Sequence, residues 1–355
     1  MKLFNKKYHK PGTKAGTMKS NAASIFSVDL YDFNLERFEV LKDVNVASCK
    51  SYIESDTSTW IHVQGDPSIE AMKLLAQSFG MHELYVEDIL NVGQRPKSEI
   101  SDEQIFLILS LPIKTGNKVH IEQISLFLTK NTLVSFATGN INPFPAIVDR
   151  LKNKLSKLRK QNIDYLMYAL VDTIIDHGYP LLEAYSEQIQ SLEDELLATK
   201  SESLLGDIHK VRRDLLLVRR RLWPQREVIN EILRADDNPL LSDNTLLHFR
   251  DCHDHVISIM EMLETYHEMT SSLMELYLTS VSLKLNDVMK FLTIFTTIFI
   301  PPTLIVGLYG MNFNPSASPF NMPELNWQYG YLLVLGLIAV TIGAMLLFFK
   351  RKKWI

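Results

Sequence analysis

The sequence lacks several features that mark common protein classes. Only two of its 355 residues are cysteines, Cys49 and Cys252, which excludes a disulfide framework and is typical of a reducing compartment. The net charge of −4 gives no sign of a nucleic-acid partner. The basic, polar segment Met1–Ser20 has no apolar stretch of signal-peptide length. We expect residues 1–24 to form a mobile tail.

Motifs of catalysis are also missing. The sequence has no glycine-rich phosphate loop, no Ser/His/Asp arrangement in a recognisable context and no zinc-protease motif, so we predict neither an enzyme nor an organic cofactor. Helical spacing places His248, Cys252 and His255 on one face, where they could ligate zinc. Because no second cluster accompanies them, we interpret them as surface or interface residues.

Charge is absent from two long runs near the C-terminus, residues 291–310 and 329–349. Each run is about 20 residues long, enough to span a hydrocarbon core of about 30 Å as a helix. The alternative is a buried core helix, but a soluble helix of this length needs a polar face. We therefore predict two transmembrane helices in a lipid bilayer.

The flanks of these runs predict their orientation. Lys284 and Lys290 precede the first run, and four basic residues, 350–353, follow the second. The loop between them, residues 311–328, contains no Lys or Arg and a single acid, Glu324. The positive-inside rule places both termini in the cytoplasm and the loop outside, for a protein of the cell membrane.

The remaining sequence divides into an α/β domain, residues 25–142, and a stalk of long helices, residues 143–290; the fold class is α+β. Short apolar or alternating segments predict strands at 60–63, 104–111, 123–128 and 132–136, and helices at 67–79 and 82–91. In the stalk we predict long helices over Leu151–Thr199 and Ser203–Arg234. A third begins after Pro239 and continues into the membrane, because 246–300 contains no Gly or Pro.

A mostly polar stripe runs along this last helix at alternating spacings of four and three residues. It comprises Glu275, Thr279, Ser282, Asn286, Met289, Thr293, Thr296, Ile300, Thr303 and Gly307. Such a 3.5-residue period is the seam of a helix bundle, and a polar seam within an apolar span indicates contact with water. One chain with two spans cannot enclose water, so the stripe predicts a pore lined by several copies. The alternative is that each threonine bonds its own backbone.

Pro301 and Pro302 lie inside the first span and have no backbone N–H to donate. Proline frees carbonyls one turn earlier, here those of Thr297 and Ile298. A water-lined path would supply partners for these carbonyls, whereas the alternative is a simple packing kink.

The outer end of the first span reads Tyr309-Gly310-Met311-Asn312-Phe313, and Met322-Pro323-Glu324-Leu325 precedes the second. With the basic C-terminus, these motifs resemble the CorA family of magnesium and cobalt channels. Further matches are Trp60-Ile61, Val86-Glu87-Asp88-Ile89-Leu90-Asn91, Gln94-Arg95-Pro96, Trp223-Pro224 and Phe249-Arg250-Asp251. The resemblance covers about residue 25 to the end. The loop between Phe313 and Met322 is longer than is usual, which leaves the placement of Glu324 open.

The resemblance implies a funnel-shaped homopentamer that carries Mg²⁺, and Co²⁺, inward through a pore lined by the first span. Gly310, Met311 and Asn312 are then the selectivity filter. Mg²⁺ gives up its water reluctantly, so an amide oxygen at Asn312 suits recognition of the hydrated ion. Asn286 is a second polar ring, Met289 and Ile300 are apolar rings that gate by dewetting, and Glu324 raises the cation concentration at the outer mouth.

The resemblance also implies regulation by cytosolic Mg²⁺ at acids between subunits. Asp88 is expected to face Asp251 of the neighbouring subunit, and Glu87 to lie near Asp172. A zinc or other divalent-metal transporter of the same architecture is the nearest alternative function. A membrane-tethered coiled-coil scaffold is a second alternative, but it predicts an apolar seam.

Overall fold

The computed structural model describes residues 25–53, 57–116, 118–139, 141–198 and 204–355. The tail predicted for residues 1–24 lies outside these ranges, as do Thr199 and Ser203 at the ends of two predicted helices. The chain forms two compact units, divided between Leu273 and Met274.

The first unit contains one seven-stranded sheet in the order β2-β1-β3-β7-β6-β5-β4. The pair β3–β7 is parallel and the other neighbouring strands are antiparallel. The strands are β1 (Phe26–Phe33), β2 (Phe38–Leu41), β3 (Ser58–Gly65), β4 (Lys97–Ile100), β5 (Ile105–Thr115), β6 (Lys118–Leu128) and β7 (Thr132–Ala137).

The described ranges also contain ten α-helices. They are α1 (Lys50–Ile53), α2 (Ile69–Phe79), α3 (Glu83–Leu90), α4 (Pro145–Lys152), α5 (Lys157–Lys160), α6 (Ile163–Asp176), α7 (Gly178–Ala198), α8 (Leu204–Arg234), α9 (Asp243–Tyr309) and α10 (Gly330–Arg351).

The central strands are buried on both faces because helices cover both sides of the sheet. On one face, alternate residues such as Ile61, Phe106 and Phe127 pack with Met72 and Leu75 of α2. On the other face lie α6, α7 and α8. A strand covered on both sides carries a continuous apolar run rather than an alternating one, which explains the sequence of β5.

Three polar side chains of the central strands, Trp60, His62 and Ser135, pair with one another inside this core. The Trp60 indole Nε1 donates to Ser135 Oγ at 2.9 Å, and His62 Nδ1 lies 2.8 Å from the same oxygen. Burial lowers the pKa of His62. The histidine is therefore a neutral, hydrogen-bonded part of the core.

The four predicted strands are confirmed, each lying in an observed strand apart from Gln104, and both predicted short helices are observed as α2 and α3. The prediction of one helix over Leu151–Thr199 is wrong, because α4, α5, α6 and α7 divide this range. Two local side-chain hydrogen bonds accompany the break between α4 and α5. Asn153 Oδ1 accepts from Leu155 N–H, and Ser156 Oγ accepts from Leu158 N–H. Such bonds compete with helix continuation.

Helix α9 is 67 residues long, which corresponds to about 100 Å of helical rise. The predicted start after Pro239 is confirmed. That start is fixed by Asp164 of α6, whose Oδ2 accepts from Ser242 N–H at 2.8 Å and from Ser242 Oγ at 2.7 Å. The helix continues through Pro301 and Pro302 without interruption.

The second unit contains the last part of α9, a loop with two short 3₁₀ turns and α10. The turns are Pro315–Ala317 and Pro323–Asn326. Gly330 at the start of α10 lies against the backbone of the second turn, since a Cβ there would be 2.2 Å from Glu324 O. The loop is therefore packed directly onto the first turn of α10.

Candidate functional site

The two apolar helices expose their hydrophobic surface within the single chain. In the most apolar 18-residue window of α9 no residue is buried, and in that of α10 only 6% are. A core helix of a soluble protein would be covered by its own chain. These helices are therefore not core helices of this chain, and their apolar surfaces need contact with lipid or with another protein chain.

The part of α9 between Leu273 and the first span is also exposed and apolar. Its exposed side chains include Leu276, Leu278, Leu283, Leu285 and Val288, which are between 49% and 62% accessible. The topology predicted from charge places this segment on the cytoplasmic side, beyond the hydrocarbon core. A contiguous apolar surface in water marks a protein interface, so this segment needs contact with further protein.

The threonines of the stripe bond their own backbone, as the alternative to a pore supposes. Thr293 Oγ1 donates to Met289 O, Thr296 Oγ1 to Leu292 O and Thr303 Oγ1 to Phe299 O, each at 2.7 Å. These threonines are nevertheless exposed. A hydroxyl that donates its proton to its own helix keeps oxygen lone pairs for an outside partner. These three threonines thus present free acceptor lone pairs, which suit a cation or the water bound to it.

The remaining stripe positions are also uncovered within the single chain. Asn286, Met289, Ile300 and Gly307 are exposed, and Thr296, Ile300, Thr303 and Gly307 border an open groove of about 590 Å³ along α9. Polar Asn286 and apolar Met289 are less than one turn apart. A path along this face would therefore pass polar and apolar rings in alternation.

The helix ends immediately before the Gly310-Met311-Asn312 motif. Gly310 N–H donates to Val306 O at 2.9 Å and Met311 N–H to Leu308 O at 3.2 Å, after which the backbone leaves the helix. A Cβ on Gly310 would meet Val306 O at 3.2 Å, which is a tight approach. The side chain of Asn312 is exposed just beyond the helix end. The motif therefore presents a side-chain amide next to the end of α9.

Glu324 lies in the 3₁₀ turn Pro323–Asn326 and is half-buried. Trp327 N–H donates to its carbonyl at 3.1 Å. The preceding residue, Met322, has a left-handed backbone with φ of 48°, an uncommon conformation for a residue other than glycine. The turn is fixed relative to α10, but its distance from any pore axis depends on other copies of the chain.

In the first unit, α6 and the first turns of α9 run side by side in the same direction. Contacts join Asp164 to Ser242, Tyr168 to His248 and Asp172 to Cys252. Further along, Gly178 permits a close approach, since a Cβ there would lie 2.8 Å from Ile259 Cδ1. This packing brings acids of α6 against a histidine of α9.

That contact forms a potential metal site from Asp172, Asp176 and His255, whose ligand atoms lie within 4.8 Å of one another. His255 Nδ1 is 3.2 Å from Asp176 Oδ1 and 3.8 Å from Asp172 Oδ1. Asp176 Oδ1 and His255 Nδ1 are buried atoms without a hydrogen-bond partner in the described part of the chain. Two carboxylates and an imidazole are ligands for a divalent cation, so these residues fit one.

The electrostatics of Asp172 support the same interpretation. Burial, and next the charge of Asp176, raise the pKa of Asp172, because both disfavour the charged carboxylate. Cys252 Sγ donates to Asp172 Oδ1 at 3.4 Å. Burial raises the pKa of the Cys252 thiol, and the charge of Asp172 raises it further. Cys252 is therefore a neutral donor rather than a thiolate ligand.

The zinc cluster considered from the sequence does not assemble. His248 stacks on Tyr168 with ring centroids 4.9 Å apart and also contacts Tyr165, whereas Cys252 and His255 face Asp172. The preferred interpretation of all three as surface or interface residues is wrong for Cys252, which is fully buried. Sequence reasoning offered no partner for His255 and missed Asp176. The spacing of Asp172 and Asp176, four residues apart on α6, was the available signal, because it places both acids on one helix face.

The other predicted regulatory acids are not brought together within one chain. Asp88 of α3 pairs with Lys97 Nζ at 2.7 Å and accepts from Gln94 Nε2 at 2.9 Å. Glu87 is half-buried on the same helix, and Asp251 is exposed with only a 4.0 Å approach to His255 Nε2. Any contact between Asp88 and Asp251 therefore requires a neighbouring copy.

Comparison with known proteins gives a consistent result. The sequence model of a family described as "CorA-like Mg2+ transporter protein" matches residues 55–351. The chain is 37% identical to the cobalt/magnesium transport protein CorA of Thermotoga maritima, over 100% of this chain and 99% of that one. It is 25% identical to the protein of the same name from Methanocaldococcus jannaschii, over 82% and 89%.

A solved structure has the same fold. The complete structure of the CorA magnesium transporter from M. jannaschii superimposes with a TM-score of 0.78 at 24% identity, over 92% of this chain and 98% of that one. Its soluble domain alone superimposes with a TM-score of 0.61 and covers 72% of this chain.

Proposed function

The chain belongs to the CorA-like family of Mg²⁺ transporters, and from that premise we propose that it conducts Mg²⁺, and Co²⁺, across the cell membrane into the cytoplasm. The observation that carries this proposal is the exposed stripe of α9, which presents threonine oxygens as acceptors within an apolar span. A polar face in a membrane must meet water or protein. The membrane potential drives a divalent cation inward.

The conducting form is a homopentamer with a funnel-shaped cytoplasmic part. Five copies of α9 around an axis enclose a water path that one chain cannot. The exposed apolar residues of α9 below the span support such an assembly, since they need covering by further protein. Both termini lie in the cytoplasm, and α10 faces lipid with its basic end on the cytoplasmic side.

Selection takes place at the outer mouth, at a ring of Asn312 with Gly310 and Met311. Mg²⁺ holds its first water shell tightly, so a filter works best by accepting hydrogen bonds from that water. Neutral amide and carbonyl oxygens accept these bonds without the strong charge that would retain the ion. Glu324 raises the local cation concentration before the filter.

Below the filter, Thr303, Thr296 and Thr293 line the path to a second polar ring at Asn286. Ile300 and Met289 form apolar rings between these polar levels. Water leaves a narrow apolar ring easily, and a dewetted ring blocks ions. The gate is therefore a matter of how closely the five α9 helices approach each other at Ile300 and Met289.

Cytosolic Mg²⁺ closes the gate through acids at subunit contacts, Asp88 with Asp251 and Glu87 with Asp172. Two carboxylates 4 Å apart repel by about 4 kcal/mol at an effective dielectric near 20, and a bound cation reverses the sign. Lys97 already pairs with Asp88 within the chain. An ion at Asp88 must therefore compete with the Lys97 ammonium, which weakens binding at this site.

A zinc transporter of the same architecture is supported by one observation, the imidazole of His255 beside Asp172 and Asp176. Imidazole favours Zn²⁺ and Co²⁺ over Mg²⁺. This donor set lies in the first unit, however, and the stripe of α9 offers hydroxyl and amide oxygens. We therefore assign the histidine to regulation and keep Mg²⁺ as the transported ion.

Flux into liposomes that contain the purified full-length protein tests the proposal. With Mg²⁺, Co²⁺, Ni²⁺ and Zn²⁺ compared by fluorescent indicators, we expect Mg²⁺ and Co²⁺ to enter and Zn²⁺ to enter at least tenfold more slowly. Asn312→Ala should reduce Mg²⁺ entry or abolish its selectivity, whereas Asn321→Ala, in the same loop, should not. Fast Zn²⁺ entry without Mg²⁺ entry, or normal selective Mg²⁺ entry in Asn312→Ala, would contradict the proposal.

A further inference from the structure

A second polar site lies in the first unit, away from the acids at α6 and α9. A cavity of about 440 Å³ opens between α7, α8 and the end of β5. This volume lies within the range of small-molecule sites, roughly 300–1,000 Å³. Nothing in ion conduction uses this cavity, because no stripe, filter or regulatory acid borders it.

The inner wall of the cavity carries two buried polar groups without partners. Tyr185 of α7 is 4% exposed and Asp214 of α8 is 9% exposed. Tyr185 Oη and Asp214 Oδ1 have no hydrogen-bond partner in the described part of the chain. Leaving such a group unsatisfied costs about 1–3 kcal/mol. A bound group that donates to the carboxylate and bonds the phenol removes this cost.

The two groups lie within electrostatic reach of each other. Burial, and next the charge of Asp214, raise the pKa of Tyr185. The phenol is therefore protonated at neutral pH and can both donate and accept. A cationic donor placed between them satisfies the carboxylate by charge and the phenol by a hydrogen bond.

The rest of the lining carries charges of both signs. Lys114 of β5 and Lys210 of α8 form no ion pair with any residue in the described ranges, and the same holds for Asp207 of α8 and Glu187 of α7. Residues 207, 210 and 214 share one face of α8 because they are three and four positions apart. Unpaired charges of both signs around one cavity indicate a ligand that also carries both signs.

We propose that this cavity binds a small amino acid with a cationic side chain. One ammonium group bonds Asp214 and Tyr185, the second lies near Asp207 and Glu187, and the carboxylate lies between Lys114 and Lys210. The charge of such a ligand, +1, complements three acids and two lysines. A bare Mg²⁺ ion is disfavoured by the two lysines, and a phosphate compound is disfavoured by the three acids.

The ligand would link the consecutive helices α7 and α8 to the end of β5, which is distant from them in sequence. It would contact α7, α8 and the end of β5, and so hold the α7–α8 pair against the sheet. Ligand binding to the native state raises stability in proportion to the logarithm of ligand concentration. This inference does not rest on ion transport, and either can fail without the other.

Calorimetric titration of the detergent-solubilised full-length protein with L-lysine tests the proposal. Two matched compounds separate the contributions: cadaverine is lysine without its carboxylate, and hexanoate lacks both ammonium groups. We expect saturable binding of L-lysine with a Kd of about 1 mM or tighter. Cadaverine should bind at least tenfold more weakly, and hexanoate should not bind.

Variants assign the binding to this cavity. Asp214→Asn should weaken L-lysine at least tenfold, and Tyr185→Phe about threefold. Lys210→Gln, at the half-exposed mouth, should weaken L-lysine and should not weaken cadaverine, so that the preference for L-lysine is lost, a result that does not depend on a buried substitution. Arg213→Gln, an exposed cation of α8 that does not line the cavity, is the control and should bind normally.

Several outcomes would overturn the proposal. One is the absence of saturable L-lysine binding up to about 10 mM, which is roughly ten times the expected Kd. Another is equal binding of cadaverine, which would identify a site for amines in general. A third is unchanged L-lysine binding in Asp214→Asn and Lys210→Gln, and a fourth is Mg²⁺ binding that Asp214→Asn removes.

Discussion

The Asp172 carboxylate is half-buried in the contact between α6 and α9. It lies beside a second carboxylate, that of Asp176, and the neutral thiol of Cys252. Its pKa is raised by burial and by Asp176, so ionisation at neutral pH opposes folding. A raised carboxyl pKa means that the folded state holds the proton more tightly than the unfolded state. The free energy of unfolding therefore falls as pH rises from the ordinary aspartate value through the folded pKa.

This sign gives a prediction for stability. In Mg²⁺-free buffer at pH 7, Asp172→Asn should raise the melting temperature, because the amide removes the buried charge. Added Mg²⁺ or Co²⁺ should raise the melting temperature of the original protein more than that of the variant. Differential scanning fluorimetry at pH 5 and pH 7 measures both effects, with exposed Asp254→Asn as the control. A lower melting temperature in Asp172→Asn without metal would contradict the account.

The residues of this contact show what sequence can and cannot predict. Asp172 was found through family resemblance and Asp176 was missed. His255 was grouped with His248 because both lie on one face of a helix. Which of them meets acids depends on the residues that α6 presents at each level: Tyr168 meets His248, and Asp172, four residues further along, meets His255. That register is a tertiary property, set by the Asp164–Ser242 contact and the close approach at Gly178.

Among the elements, α9 was the most predictable. Its length followed from the absence of Gly and Pro over 55 residues, and its polar stripe from spacing alone. The series Leu151–Thr199 was the least predictable, because its apolar periodicity continues across breaks made by Asn153 and Ser156. Edge strands β2 and β4 have four residues each, too few for a clear alternation.

The apolar rings of α9 lead to a prediction at this scale. Ile300→Ser should increase Mg²⁺ leak into liposomes when Mg²⁺ is high on the cytoplasmic side, because a wider, polar ring stays hydrated. Val306→Ser, at an exposed apolar position away from the stripe, should leave gating intact. Liposome flux at low and high Mg²⁺ measures the effect. Equal closure of Ile300→Ser and the original protein would exclude Ile300 as the gate.

At the scale of the whole molecule, a single chain leaves large surfaces of α9 uncovered. Apolar side chains of α9 are exposed both in the span and below it, and a polar stripe lies within the span. Lipid covers the first of these surfaces, but the other two need more protein and water. The sequence could predict several copies from this conflict; the number five came from resemblance, since no spacing along one chain encodes it.

The proposed regulation belongs to this scale because it would act between copies. Asp251→Lys places a fixed ammonium where a cation is proposed to bind opposite Asp88. We expect low Mg²⁺ flux that no longer responds to Mg²⁺ on the cytoplasmic side. Asp254→Lys, exposed and one turn along the same helix, should keep the response. Unchanged Mg²⁺ sensitivity in Asp251→Lys, measured in the same liposomes, would show that Asp251 has no role in regulation by Mg²⁺.

The central claim is that the polar stripe of α9 is the wall of an ion path. Both native cysteines are buried, so a single introduced cysteine reports its own surroundings. Position 296 lies on the stripe, whereas position 294, two residues earlier, lies on another face of α9 and does not border the groove. In liposomes, a charged, water-soluble thiol reagent should block Mg²⁺ flux through Thr296→Cys and leave flux through Ile294→Cys unchanged. Block of Ile294→Cys with no effect on Thr296→Cys would contradict the account.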